Sequence, residues 1–283
     1  MNIKKVVLPA AGLGTRLLPI TKETPKEMLP IYIRGENGNR YLKPVLQVIF
    51  EQLYDNNFRE FIFIVGRSKR AIEDHFTIDN EFIKTLYEKN KSELATEMEK
   101  LYNKIEKSSL IFVNQPEPKG FGDSILKVRS IIEEEFLVHA GDTYIKSSED
   151  TTIKKVIESH NKYKSEITFA SKIVKNPKDY GVVTKGKELE NNVFHVNKVI
   201  EKPDKPETNL AIMPIYIFSP NIFEALEEIN SGVNKEIQLT DGIQNIINKK
   251  LQVNTVVLDK NDVQLDIGNP ENFWEAVKLS YNW

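Results

Sequence analysis

Short apolar runs rich in β-branched residues punctuate the first half of the chain, at residues 4–10, 61–65, 110–113 and 136–140. They are too short for core helices, and three of them stop at a glycine, as buried parallel strands do. Between them the apolar positions recur at helical spacing over residues 45–54, 69–76, 79–106 and 123–132. This alternation predicts a parallel sheet covered by helices, with ligands beyond the carboxyl ends of its strands. The second half changes character. Strand-like runs at 167–174, 181–183, 196–200 and 210–219 are separated by turn residues with few helices among them, and helical patterns return at 220–229, 238–249 and 270–280. The expected class is α/β: a Rossmann-like, mixed but mostly parallel sheet flanked by helices, continued by a β-rich extension. Residues 1–283 are expected to form one domain, in two halves of about 1–145 and about 146–283. The loop at 34–40 reads as the most flexible segment, and Phe273, Trp274 and Val277 as a helix stripe packed on the core.

Composition narrows the chemistry. The net charge is -2 with 28% charged residues and no basic stripe, which argues against a nucleic-acid partner. There are no cysteines, so disulfides, thiolate metal sites and a cysteine nucleophile are excluded, and any metal must use oxygen or histidine ligands. The apolar stretch near the N-terminus is interrupted too early for a signal sequence, and no apolar run approaches the ~18 residues of a membrane span. A soluble, cytoplasmic protein is expected. His75, His139, His160 and His195 stand apart without paired-ligand spacing and read as packing or surface residues.

The first strand runs into a glycine loop, Gly12-Leu13-Gly14-Thr15-Arg16, whose glycines let backbone N–H groups approach a phosphate. It lacks the third glycine of the dinucleotide fingerprint and the Gly-Lys-Ser/Thr of a Walker loop. Downstream, Pro25 and Pro30 restrict the backbone around Lys26, so Arg16 and Lys26 are able to converge on one polyphosphate. Taken alone, Gly-x-Gly is equally a turn beside solvated cations.

In combination, these segments closely resemble the sugar nucleotidyltransferase family, the nucleoside-diphosphate-sugar pyrophosphorylases, and within it the bacterial-type UTP:glucose-1-phosphate uridylyltransferases. The resemblance runs in family order from Val6 to about Ala276 and implies the nucleotide-diphospho-sugar transferase fold, with the β-rich half binding the sugar. It implies that Ala11, Gly12, Gly14 and Thr15 contact the nucleotide, that Arg16 and Lys26 are the catalytic cations on the triphosphate, and that Glu27 lies near the nucleoside. The loop from Gln115 to Ser124 looks like the family's base-recognition loop, with Gln115 and Gly120 reading uracil; a Gln amide gives and accepts hydrogen bonds on an imide edge. Standing alone, the same loop is a proline-rich turn before a helix.

Asp142 closes the fourth apolar run and Asp266 precedes a glycine turn. Both match the family's metal aspartates, and Mg²⁺ suits a pair of carboxylates completed by substrate phosphates, although either Asp alone also suits a turn or cap. Gly181, Glu201 and Lys202 fall in segments similar to the hexose-phosphate contacts, Glu201 accepting sugar hydroxyls and Lys202 holding the 1-phosphate. Neighbours on a strand point to opposite faces, so only a backbone distortion near Pro203 aims both at one ligand. For Glu236 and Asp241, in a segment that starts at Lys235, helix capping is as good a reading as chemistry.

The activity implied is Mg²⁺-dependent transfer of UMP from UTP to glucose 1-phosphate, giving UDP-glucose and pyrophosphate, by a homo-oligomer. Three alternatives stay open: the same chemistry with dTTP, a non-catalytic nucleotide-sugar-binding regulatory subunit, and a glycosyltransferase, which would normally carry an Asp-x-Asp motif that is absent here. Departures from the family pattern are an insertion at 35–40, the apolar stretch Ile212-Met213-Pro214-Ile215 in place of small polar residues, and a missing C-terminal tail.

Overall fold

The computed structural model describes residues 3–147, 151–229 and 236–283; Lys235 lies outside them. The first half alternates as its pattern dictates. Strand β1 (Lys5–Pro9) leads through the glycine loop to a hairpin, β2 (Pro30–Arg34) and β3 (Arg40–Pro44), then α1 (Val45–Asp55), β4 (Glu60–Val65) and α2 (Arg70–His75). Helices α3 (Asn80–Glu88) and α4 (Ser92–Glu106), β5 (Ser109–Asn114), α5 (Phe121–Leu126) and β6 (Phe136–His139) follow. The helical run expected over 79–106 is two helices, because Asn90 adopts the left-handed conformation (φ 55) and the Lys91 amide closes back on the Leu86 carbonyl at 2.9 Å, an αL helix stop.

The second half contains β7 (Thr143–Lys146), α6 (Thr152–Tyr163), β8 (Ile167–Ile173), β9 (Gly181–Glu190), β10 (Val193–Glu201) and β11 (Leu210–Phe218). It ends with α7 (Asn221–Glu227), α8 (Leu239–Asn248), β12 (Val253–Val257), β13 (Val263–Asp266) and α9 (Pro270–Tyr281). Helix α6 was not anticipated, although it buries Ile153, Val156 and His160 at helical spacing.

Nine strands form one sheet in the order β5-β4-β1-β6-β11-β8-β12-β10-β9. Pairing is parallel from β5 through β6 and between β8 and β12; the other neighbours are antiparallel. The second-half strands thus extend the first-half sheet. The sheet carries a core on each face: Val6 and Leu8 belong to the cluster that includes α1, and Val7 to the cluster on the opposite face with α5, α7 and α8. The chain reverses direction across the sheet at β1, with β4 on one side and β6 on the other. Open α/β sheets bind ligands beyond the strand ends at such a point.

Two surface expectations need correcting. The loop at 34–40 is the tip of the β2–β3 hairpin and is strapped to α4: Asn37 and Asn39 donate to Glu93 Oε1 at 2.7 and 2.6 Å, and the Tyr41 hydroxyl donates to the same oxygen. Trp274 is 66% exposed, and the face of α9 that packs carries Phe273, Ala276 and Ser280, because β2 crosses α9 on that side. No helix among the described residues is long and apolar enough to cross a membrane.

Candidate active site

A cavity of about 570 Å³ opens at the carboxyl ends of β1 and β6. Its floor is made by the glycine loop. Gly14 sits at φ 65 and its carbonyl accepts from the Thr21 hydroxyl at 2.7 Å, which pins the loop open. Gly12 lies against the Lys26 side chain; a Cβ there would be 3.6 Å from Lys26 Cε. Ala11, Gly12, Gly14, Thr15 and Lys26 all line the cavity. Arg16 does not: its 3₁₀ turn buries Leu17 and leaves Arg16 facing solvent beyond the rim.

At the centre Lys26 Nζ is ion-paired and hydrogen-bonded to Asp142. Burial alone would lower the Lys26 pKa, but Asp142 and Glu27 outweigh it and hold the ammonium well above its ordinary value. Burial likewise pushes Asp142 up, and Lys26 more than reverses this. Asp266 makes no ion pair among the described residues. Burial and the Asp142 carboxylate raise its pKa, while Asn272 donates to it at 2.7 Å. The two aspartates meet because Asp266 on β13 is in register with Thr143 on β7, and the Ile267 amide donates to the Asp142 carbonyl at 3.0 Å. The Thr143 hydroxyl spans them, 3.2 Å from Asp142 and 3.4 Å from Asp266. Two like-charged hard-oxygen ligands facing one cavity fit a divalent cation that would relieve their repulsion. Glu27 is 1% exposed and lines the cavity beside Lys26, its Oε2 accepting from the Lys69 ammonium at 2.8 Å.

One wall is the loop from Gln115 to Phe121. Gly120 has φ 103, and a Cβ would stand 2.6 Å from the Ile237 carbonyl oxygen, so only glycine lets this loop dock on the segment before α8. We predict that Gly120→Ala costs about 1–3 kcal/mol in a thermal melt and weakens nucleotide binding, since both backbone strain and a clash must be relieved. A melt indistinguishable from wild type would show that the loop adapts.

The opposite wall carries Gly181, Glu201 and Lys202. Gly181 faces Glu201 across the β9–β10 ladder, and the Thr240 hydroxyl donates to Glu201 Oε2 at 2.6 Å. Lys202 leaves the strand at φ 38, with its amide on the Tyr180 carbonyl at 3.0 Å. That left-handed step is the distortion which brings neighbouring side chains to one cavity; the Lys202 ammonium is 3.2 Å from Glu201. Between the walls, Ile212, Pro214 and Tyr216 line the cavity where β11 shifts register between Ile212 and Tyr216. Glu236 also lines it and accepts from Gln238 at 3.0 Å; Asp241 lies in the first turn of α8, and neither makes a side-chain cap bond. Sequence reasoning did not single out Thr143, Thr240 or Tyr216. The adjacency of Thr143 to Asp142 and the place of Thr240 in the segment that starts at Lys235 were the available signals.

The model of the nucleotidyl transferase family matches residues 4–281. The chain belongs to this family. As a nucleotidyl transferase it is 37% identical over 249 residues to a Bacillus subtilis UTP–glucose-1-phosphate uridylyltransferase, covering 87% of this chain and 80% of that one. The uridylyltransferase of Pseudomonas aeruginosa is 33% identical over 286 residues, with coverage of 99% and 96%. Among solved structures, a UDP-glucose pyrophosphorylase complexed with UDP-glucose superposes with a TM-score of 0.84 at 33% identity, over 99% of both chains. The fold is that expected of a sugar nucleotidyl transferase.

Proposed function

We propose that the protein transfers UMP from UTP to glucose 1-phosphate, releasing pyrophosphate and forming UDP-glucose. What carries this reading is one cavity whose centre holds Lys26, Asp142 and Asp266, with the Gln115 loop on one side and Glu201 and Lys202 on the other. Relatives named for this activity match nearly the whole chain. Residues of the first half, about 1–145, then hold the nucleotide, and those of about 146–283 hold the sugar phosphate.

In this reading a sugar-phosphate oxygen attacks the α-phosphorus in line as the bond to the pyrophosphate oxygen breaks. The attacking group is already an anion at neutral pH, so no general base is required; the difficulty is bringing two polyanions together. The backbone amides of the glycine loop and the Lys26 ammonium offset triphosphate charge, and Arg16 adds a second cation from the rim. Lys202 holds the sugar phosphate while Glu201, with Oε2 fixed by Thr240, turns Oε1, which faces the Lys202 ammonium, toward the sugar hydroxyls. Mg²⁺ held by Asp142 and Asp266 would neutralise developing charge at the α-phosphate. We further propose a cytoplasmic homo-oligomer; the exposed Trp274 and Tyr281 on α9 supply an apolar surface for it, and sedimentation tests the assembly.

A pyrophosphate-release assay over a matrix of nucleoside triphosphates and sugar 1-phosphates with Mg²⁺ tests the assignment. UTP with glucose 1-phosphate is expected to give the highest kcat/KM. A preference for dTTP, which differs by a methyl that an apolar pocket resolves by only about 1–3 kcal/mol, would overturn the base assignment. A preference for an N-acetylhexosamine phosphate would overturn the sugar.

A further inference from the structure

The side-chain amide of Gln115 is held by its nitrogen. Nε2 donates to Asp123 Oδ2 at 2.6 Å and to the Gly120 carbonyl at 3.4 Å, which commits both of its hydrogens. Asp123 is itself 5% exposed on the first turn of α5, and its other oxygen takes the Lys127 ammonium at 2.9 Å one turn later. Turning the amide over would place Gln115 Oε1 against a carboxylate oxygen at hydrogen-bond distance, acceptor against acceptor. The ends of this arrangement are also fixed: the Gln115 amide donates to the Val65 carbonyl at 2.7 Å, and the Gly122 amide donates to the Ile237 carbonyl at 2.8 Å. Gln115 therefore offers the cavity only the acceptor Oε1, a narrower role than the give-and-accept contact expected from its residue type.

We propose that Asp123 is a positioning residue for base selection, locking Gln115 so that the site accepts a pyrimidine carrying a hydrogen on N3 and rejects one carrying a lone pair there. This rests on the uridylyl reading above. Uracil presents N3–H to Oε1, whereas cytosine presents a bare nitrogen, so the selectivity comes from a carboxylate that does not touch the base. A site whose buried polar group is matched by one base and opposed by the other discriminates far better than an apolar pocket does.

The test compares kcat/KM for UTP and CTP in the wild type and in Asp123→Asn, with Asp123→Ala as the second variant should the first not fold. Asn offers either a donor or an acceptor, and Ala offers neither, so in both the Gln115 amide loses its short bond to Asp123 and is held against reversal only by the 3.4 Å contact with the Gly120 carbonyl. The UTP:CTP ratio is expected to fall at least about tenfold in either variant, the size of one hydrogen bond. Calorimetric affinities for UTP and CTP should move in the same sense. A ratio within about twofold of the wild type, or equal losses on both triphosphates, would show that Asp123 merely supports the loop and would overturn the lock. A wild type that does not prefer UTP to CTP would overturn the uridylyl reading and the lock with it.

Discussion

Asp142→Asn and Asp266→Asn are each expected to lower Mg²⁺-dependent turnover by at least about 100-fold, equivalent to about 2.7 kcal/mol of transition-state stabilisation at tenfold per 1.36 kcal/mol. Each exchanges a charged oxygen pair for a neutral amide of similar shape. The two variants should part company in stability, because the carboxyl groups are shifted in opposite directions. Asp142 titrates below its ordinary value, so it stabilises the fold above that value and the contribution is lost as the pH falls through the folded pKa. Removing its charge at neutral pH forfeits this and strands the Lys26 ammonium. Asp266 titrates above its ordinary value, so its contribution is present at low pH and lost as the pH rises through the folded pKa. A permanently neutral Asn keeps that contribution at neutral pH. Asp266→Asn should therefore melt at or above the wild-type temperature, and Asp142→Asn below it. Near-normal Mg²⁺-dependent activity in either variant would assign that residue to structure alone.

Lys202→Ala is expected to cut kcat/KM for glucose 1-phosphate by about 10- to 150-fold, the loss of one charge-assisted hydrogen bond of roughly 1.5–3 kcal/mol. UTP binding, measured alone by calorimetry, should change little, because Lys202 and Gln115 stand on opposite walls. A solvated charge at a strand end would instead leave the kinetics untouched and shift stability by no more than about 0.5 kcal/mol. The positive φ of Lys202 adds a second handle. Lys202→Gly should fold about 1 kcal/mol more favourably than Lys202→Ala, since glycine occupies that region freely, yet show the same kinetic loss. Equal weakening of both substrates would place the residue elsewhere than on the sugar phosphate.

How much of this was legible beforehand follows from the range of the interactions involved. The strands β1, β4 and β6 could be read because buried parallel strands are continuously apolar, and the edge strand β5 because its run is short and apolar; their order in the sheet was not readable from the pattern. The glycine loop, Gln115 and Asp142 were visible as residue types where strands end, Lys26 between two prolines and Asp266 before a glycine turn. Helix α6 was passed over amid the surrounding strand-like runs, and α3 and α4 were merged because one left-handed residue, Asn90, interrupts an otherwise continuous helical pattern.

Which groups share a hydrogen bond is decided by contacts between residues far apart in the chain. Asp142 and Asp266 are joined by the β7–β13 register, Glu27 is spent on Lys69, Glu201 is fixed by Thr240, and the free edge of Gln115 is chosen by Asp123. Local pattern determined the elements and the chemical inventory of the site, because periodicity and turn chemistry act over a few residues. The direction of each carboxyl shift, the turn that aims Lys202 and the single acceptor offered to the base were decided only by the tertiary structure, because burial and hydrogen-bond partnership depend on what the fold brings alongside.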